Sequence, residues 1–308
     1  MLEILQAGPL TLVQDLGRPG LRHLGVGAGG AFDAPALQRA NALLGNAPGA
    51  AALELVAGPL RLRCDRDAWF SLAGAAFEAR VDGRLQAPGM RWPLRAGQEL
   101  RLDGPVSGQH GVLAVDGGIA VPLVLGARAT ALRGGFGGHE GRALRRGDRL
   151  PLGPARSLRG RRGLHSPQPR PQLRALAGME LQQLDPASQI AFWQSDWQLG
   201  PHGDRMGLRL SGPALRRTGA ELASQAVMPG LVQLPPGGQP IVLGVDAQTT
   251  GGYPRLAHVI AADLWQLAQL RPGDRLRFVL VDLAQARALQ AEQARELAVL
   301  RSFLVDAN

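Results

Sequence analysis

The chain has 308 residues, 45% of them hydrophobic and 4% aromatic, with 34 basic and 25 acidic side chains and a formal net charge of +9. It contains no lysine, which excludes Schiff-base nucleophiles, a P-loop phosphate lysine and an attachment point for biotin on these residues. Its one cysteine, Cys64, excludes a disulfide framework, a zinc ribbon and an iron–sulfur cluster within the chain.

The 42 glycines and 23 prolines are spread along the chain and predict many turns between many short strands. The opening Met1-Leu-Glu-Ile-Leu-Gln has neither a basic region nor a long apolar stretch and does not read as a signal peptide. No apolar run approaches the ~18 residues of a membrane span. A cytoplasmic protein with no membrane and no nucleic-acid partner is expected.

In chain order, short apolar runs predict strands at Ile4-Leu5, Leu53 to Val56, the run ending at Cys64, Trp69 to Leu72, Val112 to Val115 and Pro240 to Val245. A helix is predicted over 34–44, because Asp33 is an N-cap, Pro35 lies in the first turn and Gly45 follows the end. Asp185-Pro186 starts a second helix reaching Gln194, and a third is expected over 261–270. The last covers 283–304, where Leu289, Leu297, Leu300 and Leu304 share a stripe.

Two echoes suggest tandem halves. A turn phrase recurs at Leu94 to Leu102, Leu144 to Leu152 and Leu270 to Phe278, each placing Gly97, Gly147 or Gly273 before an alternating run. Val112-Leu-Ala-Val-Asp116 is echoed by Val242-Leu-Gly-Val-Asp246. Between the halves, residues 154–174 are rich in Pro and Arg without periodicity and read as a linker. The expected organisation is a first subdomain over 1–153, the linker, and a second subdomain over 175–308.

Histidines are never within four residues of one another, so no helical metal pair exists and no metal site is expected. No serine sits in G-x-S-x-G. Gly25, Gly27 and Gly30 match G-x-G-x-x-G, but no buried strand precedes them and no βαβ pattern follows, so a dinucleotide fold is not supported. Gly134-Gly135-Phe-Gly137-Gly138-His-Glu-Gly-Arg142 is either a surface turn or a loop whose amides approach an anion or nucleotide. The densest polar phrases are Gln14-Asp15-Leu-Gly17-Arg18, Gly203-Asp204-Arg205-Met206-Gly207-Leu-Arg209-Leu210, and Asp246-Ala-Gln248-Thr249-Thr250-Gly-Gly-Tyr253-Pro-Arg255. The last packs an acid, an amide, two hydroxyls, the only tyrosine and an arginine around a turn after a strand, a set that can hold a small polar ligand.

These phrases, with Gly30-Ala-Phe-Asp33, Ala40-Asn41, Ala52-Leu-Glu54, Asp116-Gly-Gly118 and Pro229-Gly230, resemble the carboxyltransferase-domain family of the allophanate hydrolase subunit 2 type, most closely its 5-oxoprolinase branch. The resemblance runs the length of the chain. It implies a mainly β protein with a few helices, built as two tandem cyclophilin-like β-barrel subdomains. It implies a subunit of an enzyme that opens 5-oxo-L-proline to L-glutamate using ATP and Mg²⁺, alongside B-type and A-type subunits. Related modules carboxylate urea with biotin on another domain, and one regulates a kinase through its partner. A carboxyltransferase subunit or a regulatory partner are therefore the alternatives.

Under the oxoprolinase reading, Asp15, Asp116 and Asp246 are candidate bases or metal-bound carboxylates, with no choice among them, and Arg255 is a candidate catalytic cation. Arg18 and Arg205 are expected to bind substrate with Gln248, Thr249, Thr250 and Tyr253. Gly134, Gly135, Gly137, Gly138 and Arg142 are the candidate anion loop.

Overall fold

A computed structural model describes residues 1–305. The chain folds as two compact units. The first comprises Met1–Arg18, Gly29–Gln168 and the chain from Arg295; the second comprises Pro19–Ala28 and Pro169–Ala294. The expected boundary thus moves to 168/169, and two short segments exchange sides. The expected linker is divided as well. Buried Arg91 donates to the carbonyls of Leu43, Arg159 and Gly160 and so binds part of it into the first unit. Its end, Gln172–Ala177, is already a strand of the second unit.

The first unit is a nine-stranded, antiparallel half-barrel sheet organised by two long strands, Ala68–Val81 and Glu99–Val115. The latter pairs its first half with Leu60–Cys64, Leu60 facing Leu102, and its second half with Ala52–Leu55, Leu53 facing Leu113. Register shifts near Gly74 to Ala79 bend the long pair, as bulges do. Leu2, Ile4, Leu62, Phe70, Trp92, Leu100 and Leu113 fill the concave side. The helix Ala34–Leu43 forms as its punctuation predicts. Asp33 accepts from the Ala36 amide at 2.8 Å, and Leu37, Ala40 and Leu44 pack on Ala73, Val112 and Ala114.

The second unit closes as a seven-stranded barrel. Around it run Gln172–Ala177, Arg255–Val259, Leu231–Gln233, Ile241–Leu243, Gly207–Ser211, Trp197–Leu199 and Arg275–Leu280, the first and last pairing in parallel. Phe192 stacks on Phe278 at 5.0 Å beside buried Trp197, so truncating any of the three costs about 3–5 kcal/mol. Asp185 caps the helix Pro186–Gln194 through the Ser188 amide at 2.7 Å. The helix expected over 261–270 is shorter, a 3₁₀ turn at Ala261–Asp263 followed by Leu264–Leu267. The final helix is Leu283–Val305. Its predicted stripe is its covered face, with Leu304 buried and Leu289, Leu297 and Leu300 half-buried. Among the described residues, no helix is long and apolar enough to cross a membrane.

The echoes are structural. In the three turn phrases the amides of Gln98, Asp148 and Asp274 bond the carbonyls of Arg95, Arg145 and Arg271 at 3.0, 3.2 and 2.9 Å. The intervening Gly97, Gly147 and Gly273 take φ of +81°, +92° and +93°, a conformation glycine adopts without a Cβ penalty. Asp116 and Asp246 both follow a strand, and each is held by an arginine, Arg66 and Arg205 respectively.

Candidate functional site

A cavity of about 580 Å³ lies on the second unit. Its floor is one face of three paired strands. Gly207–Ser211 alternates, with Leu208 and Leu210 buried and Arg209 exposed. Arg209 stands opposite Ile241, and Ile241 opposite Gln233; Gly207 faces Leu243. A cation, an aliphatic side chain and an amide therefore form a row across the sheet. The segments 201–206 and 248–253 complete the lining with His202, Asp204, Met206, Gln248 and Tyr253. Gln233 is 2% exposed and Tyr253 is 46% exposed, so the cavity grades from a buried amide to an open aromatic rim. Mostly apolar walls with a few convergent polar groups are the usual form of a small-molecule site.

The loop that carries Gln248 and Tyr253 is fixed from three sides. Arg205 grips Asp246 through two bonds, Nε to Oδ2 at 2.7 Å and Nη2 to Oδ1 at 3.0 Å. The Thr249 carbonyl accepts from the Val227 amide at 3.0 Å, and Thr250–Gly251 pairs with Gln225–Ala226. Arg22 donates to the carbonyls of Val227 and Gln248; burial lowers its pKa from the ordinary arginine value. Gln233 reaches the Tyr253 carbonyl at 3.4 Å.

Of the residues expected to act, Gln248 and Tyr253 line this cavity; Thr249 and Thr250 lie on the same loop without lining it. Arg205 and Asp246 are paired with each other. Arg255 is likewise held by Glu180, Nε to Oε2 at 2.8 Å and Nη2 to Oε1 at 2.5 Å. The hydrogen bond and charge of Arg255 hold the Glu180 carboxyl below the usual carboxylate range.

The other candidates lie in the first unit, where they act as connectors. Asp15 accepts from the amides of Gly17 and Arg128. Arg18, 1% exposed, donates to the Ala129 carbonyl at 2.6 Å with its guanidinium 5.0 Å from the Phe136 ring. Asp116, also 1% exposed, accepts from the amides of Trp69 and Arg156 and pairs with Arg66.

The glycine loop is turned onto itself. The amides of Gly134 and Gly135 donate to Ala131, that of Gly138 to Arg128 and that of Gly141 to Gly137. Arg142 is divided between Asp148 and Glu140. At Asp148 burial favours the neutral acid, but the bonds from Arg142 and the Arg145 amide outweigh it and lower the pKa. A second carboxylate on the same arginine disfavours a polyphosphate there. Among the described residues no three His, Cys, Asp or Glu side chains gather as a metal site. This arrangement does not fit a nucleotide–Mg²⁺ complex held by the glycine loop.

Arg209, Gln233 and His202 line the cavity without being among the residues expected to act. Arg209 lies within the polar run Gly203 to Leu210, and the alternation of its strand is readable there. Gln233 ends Leu231-Val-Gln233, an echo of Leu12-Val-Gln14, and both triplets are fully buried strands. His202 has no signal beyond its neighbour Gly203.

Residues 24–280 match the family described as carboxyltransferase domain, subdomain A and B. The chain is 48% identical to the C-type subunit of the 5-oxoprolinase of Escherichia coli over 96% of both chains. It is 39% identical to the C-type 5-oxoprolinase subunit of Haemophilus influenzae over the full length of both. The urea amidolyase of K. lactis superimposes with a TM-score of 0.88 at 25% identity, covering 97% of this chain but 20% of that one. The agreement in sequence and in fold from end to end shows that the chain belongs to the carboxyltransferase-domain family.

Proposed function

We propose that the chain is one subunit of an ATP-dependent 5-oxoprolinase, working in the cytoplasm with B-type and A-type subunits. The observation that carries this reading is the 48% identity to an oxoprolinase subunit over nearly all of both chains. The urea amidolyase likeness is weaker in sequence and involves only a fifth of a larger enzyme.

The cavity suits the substrate. A lactam ring is compact and apolar apart from one C=O and one N–H, and a carboxamide side chain both donates and accepts. Gln233 and Gln248 offer two such groups beside Ile241, Leu243 and Met206. In the reaction a water oxygen joins the lactam carbon, the C–N bond breaks, and the amine takes the proton. ATP makes the carbonyl a better electrophile, and Mg²⁺ travels with it. Because the glycine loop of this chain does not fit them, the other subunits are assigned the nucleotide and its metal.

The test is ATP-dependent glutamate formation from 5-oxo-L-proline by the other subunits with and without this chain, and by this chain alone. Activity only in the full mixture supports the reading. Full turnover by the chain alone, or an assembled complex that forms no glutamate, overturns it.

A further inference from the structure

We infer that Arg209 is the carboxylate anchor of the cavity, which makes it the residue that selects 5-oxoproline over lactams lacking an acid group. The inference rests on the oxoprolinase reading and adds to it a site, an orientation and a specificity.

Several arginines of the second unit are already engaged. Arg205 is paired with Asp246, Arg255 with Glu180, Arg174 with Asp263 and Arg277 with Asp196. The side chain of Arg209 lines the cavity and forms no hydrogen bond or ion pair among the described residues. The alternation of its strand turns it away from buried Leu208 and Leu210, toward the face that carries Ile241. A guanidinium in that position offers a planar fork matched to a carboxylate.

The row across the sheet sets the orientation. Strands are ~4.8 Å apart, so the backbones of Arg209 and Gln233 are roughly 10 Å apart with Ile241 between them. A ligand with its acid group at Arg209 lays its ring methylenes over Ile241 and presents its amide edge to Gln233. Gln248 and Tyr253 also line the cavity, with the Tyr253 carbonyl 3.4 Å from the Gln233 amide.

The charge of the cavity argues for a monoanion rather than a polyphosphate. Among the described residues of the lining the one guanidinium is that of Arg209, and the Asp204 carboxylate lies in the same lining. Asp204 is fixed there by the amides of Met206 and Gly207, which donate to it, and its negative charge repels a multiply charged group. His202 is the other titratable side chain of the lining beside Tyr253.

The test uses the assembled complex, with Arg209→Gln and Arg209→Lys. Steady-state kinetics on 5-oxo-L-proline should show KM raised by roughly 10-fold or more in Arg209→Gln, as expected for loss of hydrogen bonds to a charged group. The kcat should stay within a few-fold, and Arg209→Lys should fall between. The second readout is competition by 2-pyrrolidinone, which has the lactam without the acid. Wild type should prefer 5-oxoproline strongly, and Arg209→Gln should lose most of that preference while binding 2-pyrrolidinone as before. A general folding defect would weaken both ligands together, and that outcome counts against an anchor. Inorganic phosphate competing as well as 5-oxoproline for wild type, but not for Arg209→Gln, would make the site a phosphate site and overturn the assignment. An active complex with unchanged KM and unchanged preference overturns the anchor and leaves the oxoprolinase reading standing. A wild-type complex that opens no 5-oxoproline removes both.

Discussion

Arg205 and Asp246 join two of the polar phrases of the sequence by a double hydrogen bond of 2.7 and 3.0 Å, with the Arg205 side chain 5% exposed. The Asp246 amide also donates to the Arg205 carbonyl at 2.9 Å. Two backbones are thus locked where the loop to Gln248 and Tyr253 begins, while Arg209, four residues on, is left for a ligand.

Breaking this clamp should cost both stability and binding. Asp246→Asn removes one charge partner from a buried guanidinium and should destabilise the protein by about 2–3 kcal/mol. KM for 5-oxoproline should rise through displacement of Gln248 and Tyr253. Denaturant unfolding of the chain and kinetics of the complex check the two effects; an unchanged midpoint with lost kcat would make Asp246 a reacting group.

The pair of Glu180 and Arg255 predicts a pH dependence. The folded-state pKa of Glu180 is depressed, first by the Arg255 hydrogen bond. Its contribution is therefore complete above the unfolded value of about 4.3 and is lost as pH falls through the folded value. Glu180→Gln should be less stable than wild type by about 2 kcal/mol at pH 7. The gap should narrow in melts below about pH 4; a gap independent of pH would show that charge is not its origin.

How much of this was legible follows from what each residue type reports. Asp33, Asp185 and the three turn glycines announce local geometry, and the structure places caps and turns there. The polar loop after Val245 was legible as a cluster, but which of its members face a ligand was not. Arg205, Arg209 and Arg255 look alike in sequence; only the carboxylates at Asp246 and Glu180, 41 and 75 positions away, separate them. Asp15 and Asp116 read as candidate bases because an acid in a Gly-rich phrase serves equally well as an acceptor for backbone amides, and here both do that. The exchange of residues 19–28 between units had no local signal, since it is set by packing rather than by the residues themselves.

In the glycine loop, Gly138→Ala should be severe. The residue has φ +54°, and an added Cβ would lie 1.9 Å from the Thr130 hydroxyl, which is itself buried. A loss of about 3 kcal/mol or more is expected, read as a lowered melting temperature. A neutral substitution would mean that the loop can rearrange.

Cys64 should be inert in the folded chain. Burial pushes its thiol up to about 12, so at pH 8 only about one part in ten thousand is thiolate. Iodoacetamide should label it only after unfolding, and rapid labelling of the native protein would contradict its burial.

Lactam opening and biotin-dependent carboxylation make opposite demands on bicarbonate and biotin. The most direct measurement is glutamate formed and ATP consumed by the assembled complex on 5-oxo-L-proline, without bicarbonate and with excess avidin to sequester biotin. For a subunit that serves lactam opening, glutamate formation should require this chain and ATP and be unaffected by avidin or by the lack of bicarbonate. ATP cleavage that needs bicarbonate and is abolished by avidin would contradict it.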